Sequence, residues 1–351
     1  MNIDRIRSRI DEIDLELLAL LEERMELGLR VRRFKSEATD RGREAVVLDR
    51  AMRSSLALVE PEFAERLFGE IMAESTRLQN QGMRLVAFQG EHGAFSEIAA
   101  RALVTDSAYV PCSEFVEVFR GVEGGTYDLG VVPVENSLEG AISQVNDLLT
   151  RTDLKVVAEV RLAIHQDLLA ARGTDLRDIR VVYSHPQALA QCRDFVARNS
   201  LEPRPYYDTA GAARMIAAEK PRGAAAIASP LAAELYGLRV IKERVEDDAS
   251  NSTRFLLLSR QAAGSGDKSS IVFVTPHESG RLFGVLELFA SAGLNLTRIA
   301  SMPYRPEPSN YCFFLDFEGS DRDPEVVSVL DRLKERAVEY RFLGCYPVAR
   351  A

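Results

Sequence analysis

Asp128-Leu-Gly-Val-Val-Pro-Val-Glu135-Asn136-Ser137-Leu-Glu-Gly140 runs on into 141–149, and its reading decides the fold. The apolar run 129–134 predicts a buried strand, with Pro133 near its end, where a missing N–H does least harm. Glu135, Asn136 and Ser137 form a polar tip. Gly140 then opens a segment with Ile142, Val145, Leu148 and Leu149 at helical spacing. Strand, polar tip and helix start is the order in which α/β proteins gather ligands, because free backbone N–H groups there face anions. An ordinary βα turn has the same order. Two donor side chains at the tip, Asn136 and Ser137, favour a binding site.

The chain has 351 residues, enough for two or three domains. Its 46% hydrophobic and 28% charged content is that of a soluble globular protein. A net charge of −9 argues against a nucleic-acid partner. The Ala-rich stretch 223–238 is broken by Pro230 and Glu234, and no apolar run reaches membrane-spanning length, so no membrane partner is expected. A helix begins directly at the first residues; no signal peptide is expected, and a cytoplasmic location follows. Cys112, Cys192, Cys312 and Cys345 are too scattered for a disulfide framework or a metal pattern, which fits a reducing compartment. The four histidines are scattered too, so neither metal nor cofactor is expected.

Ile6, Ile10, Ile13, Leu17, Leu20, Leu27, Val31 and Phe34 recur every three or four residues, predicting one helix of about 35 residues, roughly 50 Å long. Two shorter helices follow, near 43–59 and 62–81, the latter begun by Pro61. They are too short to cover the long apolar stripe, so a second copy is expected, most simply in a symmetric dimer. Arg24 falls on that stripe between Leu20 and Leu27, where a cation is costly unless an anion pairs with it. Lys35 lies about 20° from the same face, so the two cations can converge on a small dianion. Arg7 is about 26 Å from Arg24 along the axis and ~100° round it. It can reach such a site only from a partner's antiparallel helix. Ser75 and Gln79 share a face of the third helix.

These residues resemble the all-helical chorismate mutase family over about 1–80: Arg7, Arg24, Lys35, Asp40, Arg43, Glu44, Ser75 and Gln79 fall on positions that family uses. The resemblance implies that Arg24 and the partner's Arg7 hold the two carboxylates of chorismate. Lys35 and Gln79 would hydrogen-bond the ether oxygen and Glu44 the ring hydroxyl. A [3,3] rearrangement needs only the reactive conformer held, with donors where charge gathers as the C–O bond breaks. A plain coiled-coil dimerisation module would leave Arg24 and the Ser75/Gln79 pair unexplained.

After the polar joint 79–82, strand-like runs at 85–88, 129–134, 156–164, 179–183, 224–228 and 255–259 alternate with helices, which argues α/β. Gly90 and Gly93 fit neither nucleotide fingerprint and can serve as tight-turn glycines. Ser96 can cap a helix at 97–104. In Ser184-His-Pro-Gln187-Ala-Leu-Ala-Gln191-Cys192, Ser184 can cap, while Gln187 and Gln191 present their amides together. Asp208-Thr209 offers another cap, and Asn251-Ser-Thr253-Arg254-Phe255 precedes a strand. The collected groups are neutral donors and one arginine, with no prominent general base.

The stretch 132–140, the Ser184–Cys192 stretch and Thr253-Arg254-Phe255 resemble prephenate dehydratase, across about 84–260. The resemblance implies a two-lobed α/β architecture like that of periplasmic solute-binding proteins, with substrate between the lobes. It implies loss of carbon dioxide and water from prephenate to give phenylpyruvate. Thr253 would donate to the departing hydroxyl. Asn136, Ser137, Ser184, Gln187 and Gln191 would position substrate, and Arg254 would pair with a carboxylate. A cleft poor in charge suits this chemistry, since too firm a grip on the ring carboxylate stabilises the ground state.

Residues 262–267 read as a linker. Beyond them a βαββαβ order, with strands at 271–275, 294–301, 311–317 and 341–345 and helices at 281–291 and 325–337, predicts a ferredoxin-like α+β domain. With Asn295-Leu296-Thr297 it resembles the ACT domain that binds amino acids in such enzymes. The family senses phenylalanine through Gly-Ala-Leu and Glu-Ser-Arg-Pro motifs. Here those positions read Gly280-Arg281-Leu282-Phe283 and Ala300-Ser301-Met302-Pro303, the second without its charges. Gly280, Leu282, Asn295, Leu296 and Ser301 are the effector candidates. Altered effector specificity and a purely dimer-forming role both remain open.

The expected architecture is therefore a mutase helical domain at 1–82, a two-lobed dehydratase domain at 83–261 and an ACT domain at 268–351. Two other readings stand beside it: dehydration of arogenate in place of prephenate, and a non-catalytic sensor built on the same cleft.

Overall fold

The computed structural model describes residues 3–35, 40–54, 57–304, 307 and 310–347. Three helices lead: α1 (Ile3–Arg32), α2 (Arg41–Arg53) and α3 (Pro61–Asn80). An α/β body follows, beginning with β1 (Arg84–Gln89), α4 (Phe95–Leu103), β2 (Ser107–Cys112), α5 (Phe115–Glu123) and β3 (Leu129–Asn136). It continues through β4 (Gly140–Ala141), α6 (Ser143–Leu149), β5 (Lys155–Ala163), β6 (Asp167–Ala170), β7 (Val181–Ser184), α7 (Pro186–Gln191) and α8 (Arg193–Arg198). It closes with β8 (Glu202–Pro205), α9 (Thr209–Glu219), β9 (Ala224–Ala228), α10 (Pro230–Leu235), β10 (Arg239–Lys242) and β11 (Ser252–Ser259). Last come β12 (Lys268–Thr275), α11 (Arg281–Ser291), β13 (Leu296–Pro303), β14 (Tyr311–Glu318), α12 (Pro324–Arg336) and β15 (Glu339–Tyr346).

Helix α1 has 30 residues and is about 45 Å long, one turn shorter than its apolar spacing predicts. Asp40 starts α2 by accepting from the Arg43 N–H at 3.0 Å. That helix ends at Arg53, before the predicted 59; positions 55 and 56 lie outside the described residues. Pro61 opens α3, where its missing N–H costs nothing. Among the described residues of this helical part, only Leu29 and Ala64 are buried apolar side chains. Ile6, Ile10, Ile13, Leu17, Leu20 and Leu27 stay exposed, Leu20 by 62%. One copy thus leaves most of the stripe uncovered. Helix α1 also lies against the α/β body: Glu12 pairs with Lys220 at 2.7 Å, Leu15 packs beside Gly237, and Glu26 meets His92 at 3.2 Å. Arg33 pairs with Asp128 at its far end.

The body has two sheets. The first has the order β2-β1-β3-β11-β5, with β4 paired to β3; the second is β10-β6-β9-β7-β8. The chain crosses between them twice, after β5 and before β11. The crossings are laced together: Val245 N donates to Gln166 O at 2.7 Å, Arg244 N to Asp167 at 2.9 Å, and His165 meets Glu246 at 2.8 Å. Two lobes joined by two strands make the expected two-lobed layout. Five strands are absent from the sequence reading, β2, β4, β6, β8 and β10; β8 is Glu-Pro-Arg-Pro, which carries no apolar signal.

The stretch 128–149 departs from its reading in three ways. Strand β3 runs on through Glu135 and Asn136, because both pair with β11. Pro133 lies inside the strand, opposite Phe255 at a register shift where the ladder is already interrupted. Gly140, at φ 80°, begins the short β4 that folds back on Glu135 and Asn136, and the helix starts only at Ser143. Ser96 does not cap α4; the flanking residue is Ala94, without a side-chain bond, and Ser96 is buried in the first turn.

The C-terminal sheet has the order β13-β14-β12-β15, the ferredoxin-like arrangement, with α11 and α12 over a core of Phe273, Phe289, Leu315, Phe317 and Leu333. Its other face joins Val272, Val274, Cys312, Phe314 and Leu343 to the first lobe's core. Among the described residues, no helix is long and apolar enough to cross a membrane, and no cluster of three His, Cys, Asp or Glu side chains is placed to hold a metal. All four cysteines are buried free thiols.

Candidate active sites

Antiparallel pairing of β3 with β11 sets Asn136 opposite Thr253. The Asn136 amide donates to Thr253 Oγ1 at 2.9 Å and to Asn251 Oδ1 at 2.8 Å. Asn251 Nδ2 in turn donates to Gln191 Oε1 at 3.2 Å, crossing to the second lobe. Thr253 and Asn136 are both buried. Because Thr253 Oγ1 already accepts, and no acceptor among the described residues takes its proton, its O–H is free to donate to something in the cleft.

Helix α7 sets Gln187 and Gln191 one turn apart, and both amides donate to Glu139 from the first lobe, Gln191 at 3.2 Å. Sequence reasoning missed Glu139 and Asn251 as site members, although both lie in the stretches it singled out. Ser137 is exposed, and its hydroxyl accepts from Ser252 N at 2.9 Å. The backbone donors expected at the tip are occupied: Asn136 Oδ1 takes the N–H groups of Leu138 and Glu139 at 3.0 and 3.1 Å.

Two expected members do not face the cleft. Ser184 is fully buried and donates to Ile227 O at 2.6 Å, tying β7 to β9, while His185 caps α7. Arg254 follows Thr253 by one residue, so strand alternation turns it to the opposite face. There it meets Glu159 at 2.6 Å and Asp316 of the C-terminal sheet at 2.5 Å. Burial alone would lower the Arg254 pKa; Asp316, Tyr346 and Glu159 reverse this and hold the guanidinium charged. The cleft is therefore poorer in cations than the sequence suggested.

The mutase candidates lie on three helices. Arg24, partly buried on α1, has its pKa lowered by burial, the mark of a cation short of an anion. Ser75 is buried on α3, and Gln79 Nε2 donates to its hydroxyl at 3.2 Å. Gly28, one turn beyond Arg24, lets the two helices meet: a Cβ there would lie 2.5 Å from Ser75 Oγ. A glycine inside a long helix is the signal in the sequence for this contact. Lys35 donates to Asp40 at 3.1 Å, and Asp40 also caps α2, so Lys35 is held by a carboxylate in this state. Glu44 is half-buried and Arg43 exposed; Arg7 is exposed near the start of α1, far from Arg24.

The effector candidates do not all converge within one chain. Gly280, at φ 81°, and Leu282 open α11, whereas Asn295 and Leu296 lie beyond its other end, ~16 Å of helix away. Ser301 is exposed on the edge strand β13.

Cations and amides on three N-terminal helices, beside a two-lobed body whose strand tips carry uncharged donors, define a two-headed enzyme of small anionic substrates. The type II chorismate mutase family matches residues 6–80, and the prephenate dehydratase family residues 86–263. A bifunctional chorismate mutase/prephenate dehydratase of Pseudomonas aeruginosa is 36% identical over 358 residues, covering 98% of this chain and 97% of that one. An arogenate dehydratase/prephenate dehydratase of Arabidopsis thaliana is 42% identical over 287 residues, 78% of this chain and 75% of its own. Among solved structures, the prephenate dehydratase of Arthrobacter aurescens in complex with L-Phe is 33% identical, with a TM-score of 0.68 over 75% of this chain and 89% of that one. The chain belongs to the bifunctional chorismate mutase/prephenate dehydratase family. It is an isomerase and a carbon–oxygen lyase of phenylalanine biosynthesis, taking chorismate to prephenate and prephenate to phenylpyruvate.

Proposed function

We propose that the two reactions run in separate sites built from the residues above. In the mutase pocket, Arg24 and Arg7 of a second copy hold the two carboxylates of chorismate. Lys35, released from Asp40, and Gln79 donate to the ether oxygen as the C–O bond breaks, Glu44 holds the ring hydroxyl, and Ser75 and Arg43 complete the lining. The bare stripe on α1 supports a homodimer. In the dehydratase cleft, Gln187 and Gln191, released from Glu139, grip the side chain of prephenate, while Asn136 holds Thr253 in place. The C–CO₂ bond breaks, its electron pair enters the ring, and the C–OH pair leaves as hydroxide. The Thr253 hydroxyl donates to the leaving oxygen, which departs as water once it has gained a proton. The bond between Asn136 and Thr253 carries this reading, because Thr253 Oγ1 accepts in it and keeps its own proton to give.

The domains fall at 1–82, 83–261 and 268–351, and the last is an ACT-type domain with an amino-acid effector held between two copies, since its candidate residues need a second chain to meet. Neither reaction requires a metal or an organic cofactor, and a cytoplasmic location is part of the same reading. Arogenate is a second substrate to assay, since a 42% identical relative is named for both.

Separate variants test the scheme. Arg24→Ala should abolish chorismate consumption and spare prephenate turnover, and Thr253→Ala should spare chorismate consumption and leave only a small, measurable residue of prephenate turnover. Loss of both activities from either variant, in folded protein, refutes the two-site arrangement.

A further inference from the structure

Behind Thr253 and Asn136 the first lobe carries a buried charge cluster shared with the C-terminal sheet. Strand pairing sets Arg254 opposite Glu135, one residue from the Thr253–Asn136 pair and on the reverse face. Asp316 on β14 takes Arg254 Nη1 at 2.5 Å and lies 4.0 Å from Arg298 of β13. Arg298 reaches the other strand: its Nη2 donates to Asn146 at 3.1 Å, and Asn146 Nδ2 donates to Val134 O on β3 at 3.3 Å. Its Nε lies 3.7 Å from Glu135, too far to bond, and has no hydrogen-bond partner among the described residues. Glu159 binds Arg254 at 2.6 Å on one side and Lys268 at 2.6 Å on the other. The side chains of Arg254, Asp316 and Arg298 are 4%, 3% and 6% exposed, so these charges are desolvated. Three cations face three carboxylates, and the cluster is neutral.

Adhesion does not explain it. Apolar side chains of the C-terminal sheet already join the first lobe's core, and a buried ion pair is a poor source of stability compared with apolar packing of the same size. Such a cluster fixes geometry instead, and it lies directly behind the two strands that carry the cleft's donors.

We propose that Asp316 and Arg298, residues of the C-terminal domain, are positioning residues of the dehydratase: Asp316 fixes β11 through Arg254, Arg298 fixes β3 through Asn146, and together they set the Thr253–Asn136 geometry. This rests on Thr253 being the donor to the leaving hydroxide. The C-terminal sheet is then part of the catalytic scaffold, and a ligand that shifts it acts on Thr253 without entering the cleft. Sub-ångström errors in placing a catalytic donor lower kcat and leave binding largely intact.

The experiment uses the full chain and reads prephenate kcat and KM, with chorismate turnover as the control for folding. Asp316→Asn keeps the shape and removes the charge. It should lower dehydratase kcat about 10–100-fold, with KM within about twofold and mutase activity unchanged. In a Thr253→Ala background the same change should cost almost nothing further, because both act through one group. Unchanged kcat in Asp316→Asn, or a full additional loss in the double variant, overturns the proposal. If Asp316→Asn also loses mutase activity, Arg298→Lys decides: a drop in kcat alone supports positioning, and wild-type kinetics refute it. Full activity in Thr253→Ala would instead refute the site assignment beneath it.

Discussion

Replacing Gly28 by alanine tests how closely α1 and α3 meet at the mutase pocket. In an exposed helix the change is favourable by about 1 kcal/mol. Here the new Cβ would lie 2.5 Å from Ser75 Oγ, so the serine must move by about an ångström and give up its bond from Gln79. Overpacking of this kind costs about 1–3 kcal/mol. The net expectation is a loss of about 1 kcal/mol in stability. Displacing Ser75 and Gln79 should slow the mutase about 10–100-fold while prephenate turnover is kept. Thermal unfolding and absorbance assays of both reactions read these effects. Adding Ser75→Ala removes the clash, since the nearest atoms are then Gln79 Nε2 at 3.5 Å and the Cβ of residue 75 at 3.9 Å. The double variant should be more stable than Ser75→Ala alone by about 1 kcal/mol, the helix-propensity gain. A Gly28→Ala protein that is stabilised and keeps its full mutase rate would refute the close approach.

Two further outcomes are expected. His92 is held between Glu26 and Glu97; burial alone would lower its pKa, but the two carboxylates raise it to about 9. The folded value lies above the unfolded one, so its contribution is complete below about pH 6.5 and lost as pH rises through 9; discounted for partial exposure it is worth about 1–2 kcal/mol. The melting-temperature gap between wild type and His92→Gln should therefore be widest near pH 6 and close by about pH 9.5, and a gap that widens with pH would contradict the assignment. Mixing inactive Arg7→Ala and Arg24→Ala chains should restore part of the mutase activity, because one of the two pockets of each mixed dimer holds both arginines; no recovery among demonstrably mixed dimers counts against a shared pocket.

Helical periodicity made α1 and α3 legible, since the 3.6-residue repeat is written in their apolar residues. The C-terminal βαββαβ order was legible too, from strands and helices of ordinary length. Short strands such as β8 were not, because their pairing is decided by neighbours far along the chain. Thr253, Asn136 and Gln191 were recognisable by residue type, and the structure brings them together. Arg254 and Ser184 were misassigned for one reason: residue type says what a side chain can do, and strand alternation decides which face it does it on. Glu139 was passed over because its partners lie about fifty residues away, on another lobe.

Helix α1 touches the second lobe at Lys220 and Gly237 and the first at His92 and Asp128. It lies like a splint across a joint. Any swing of one lobe against the other must slide along this helix or bend it, and the same helix carries Arg24. Any such opening of the dehydratase would thus be mechanically tied to the posture of the neighbouring mutase.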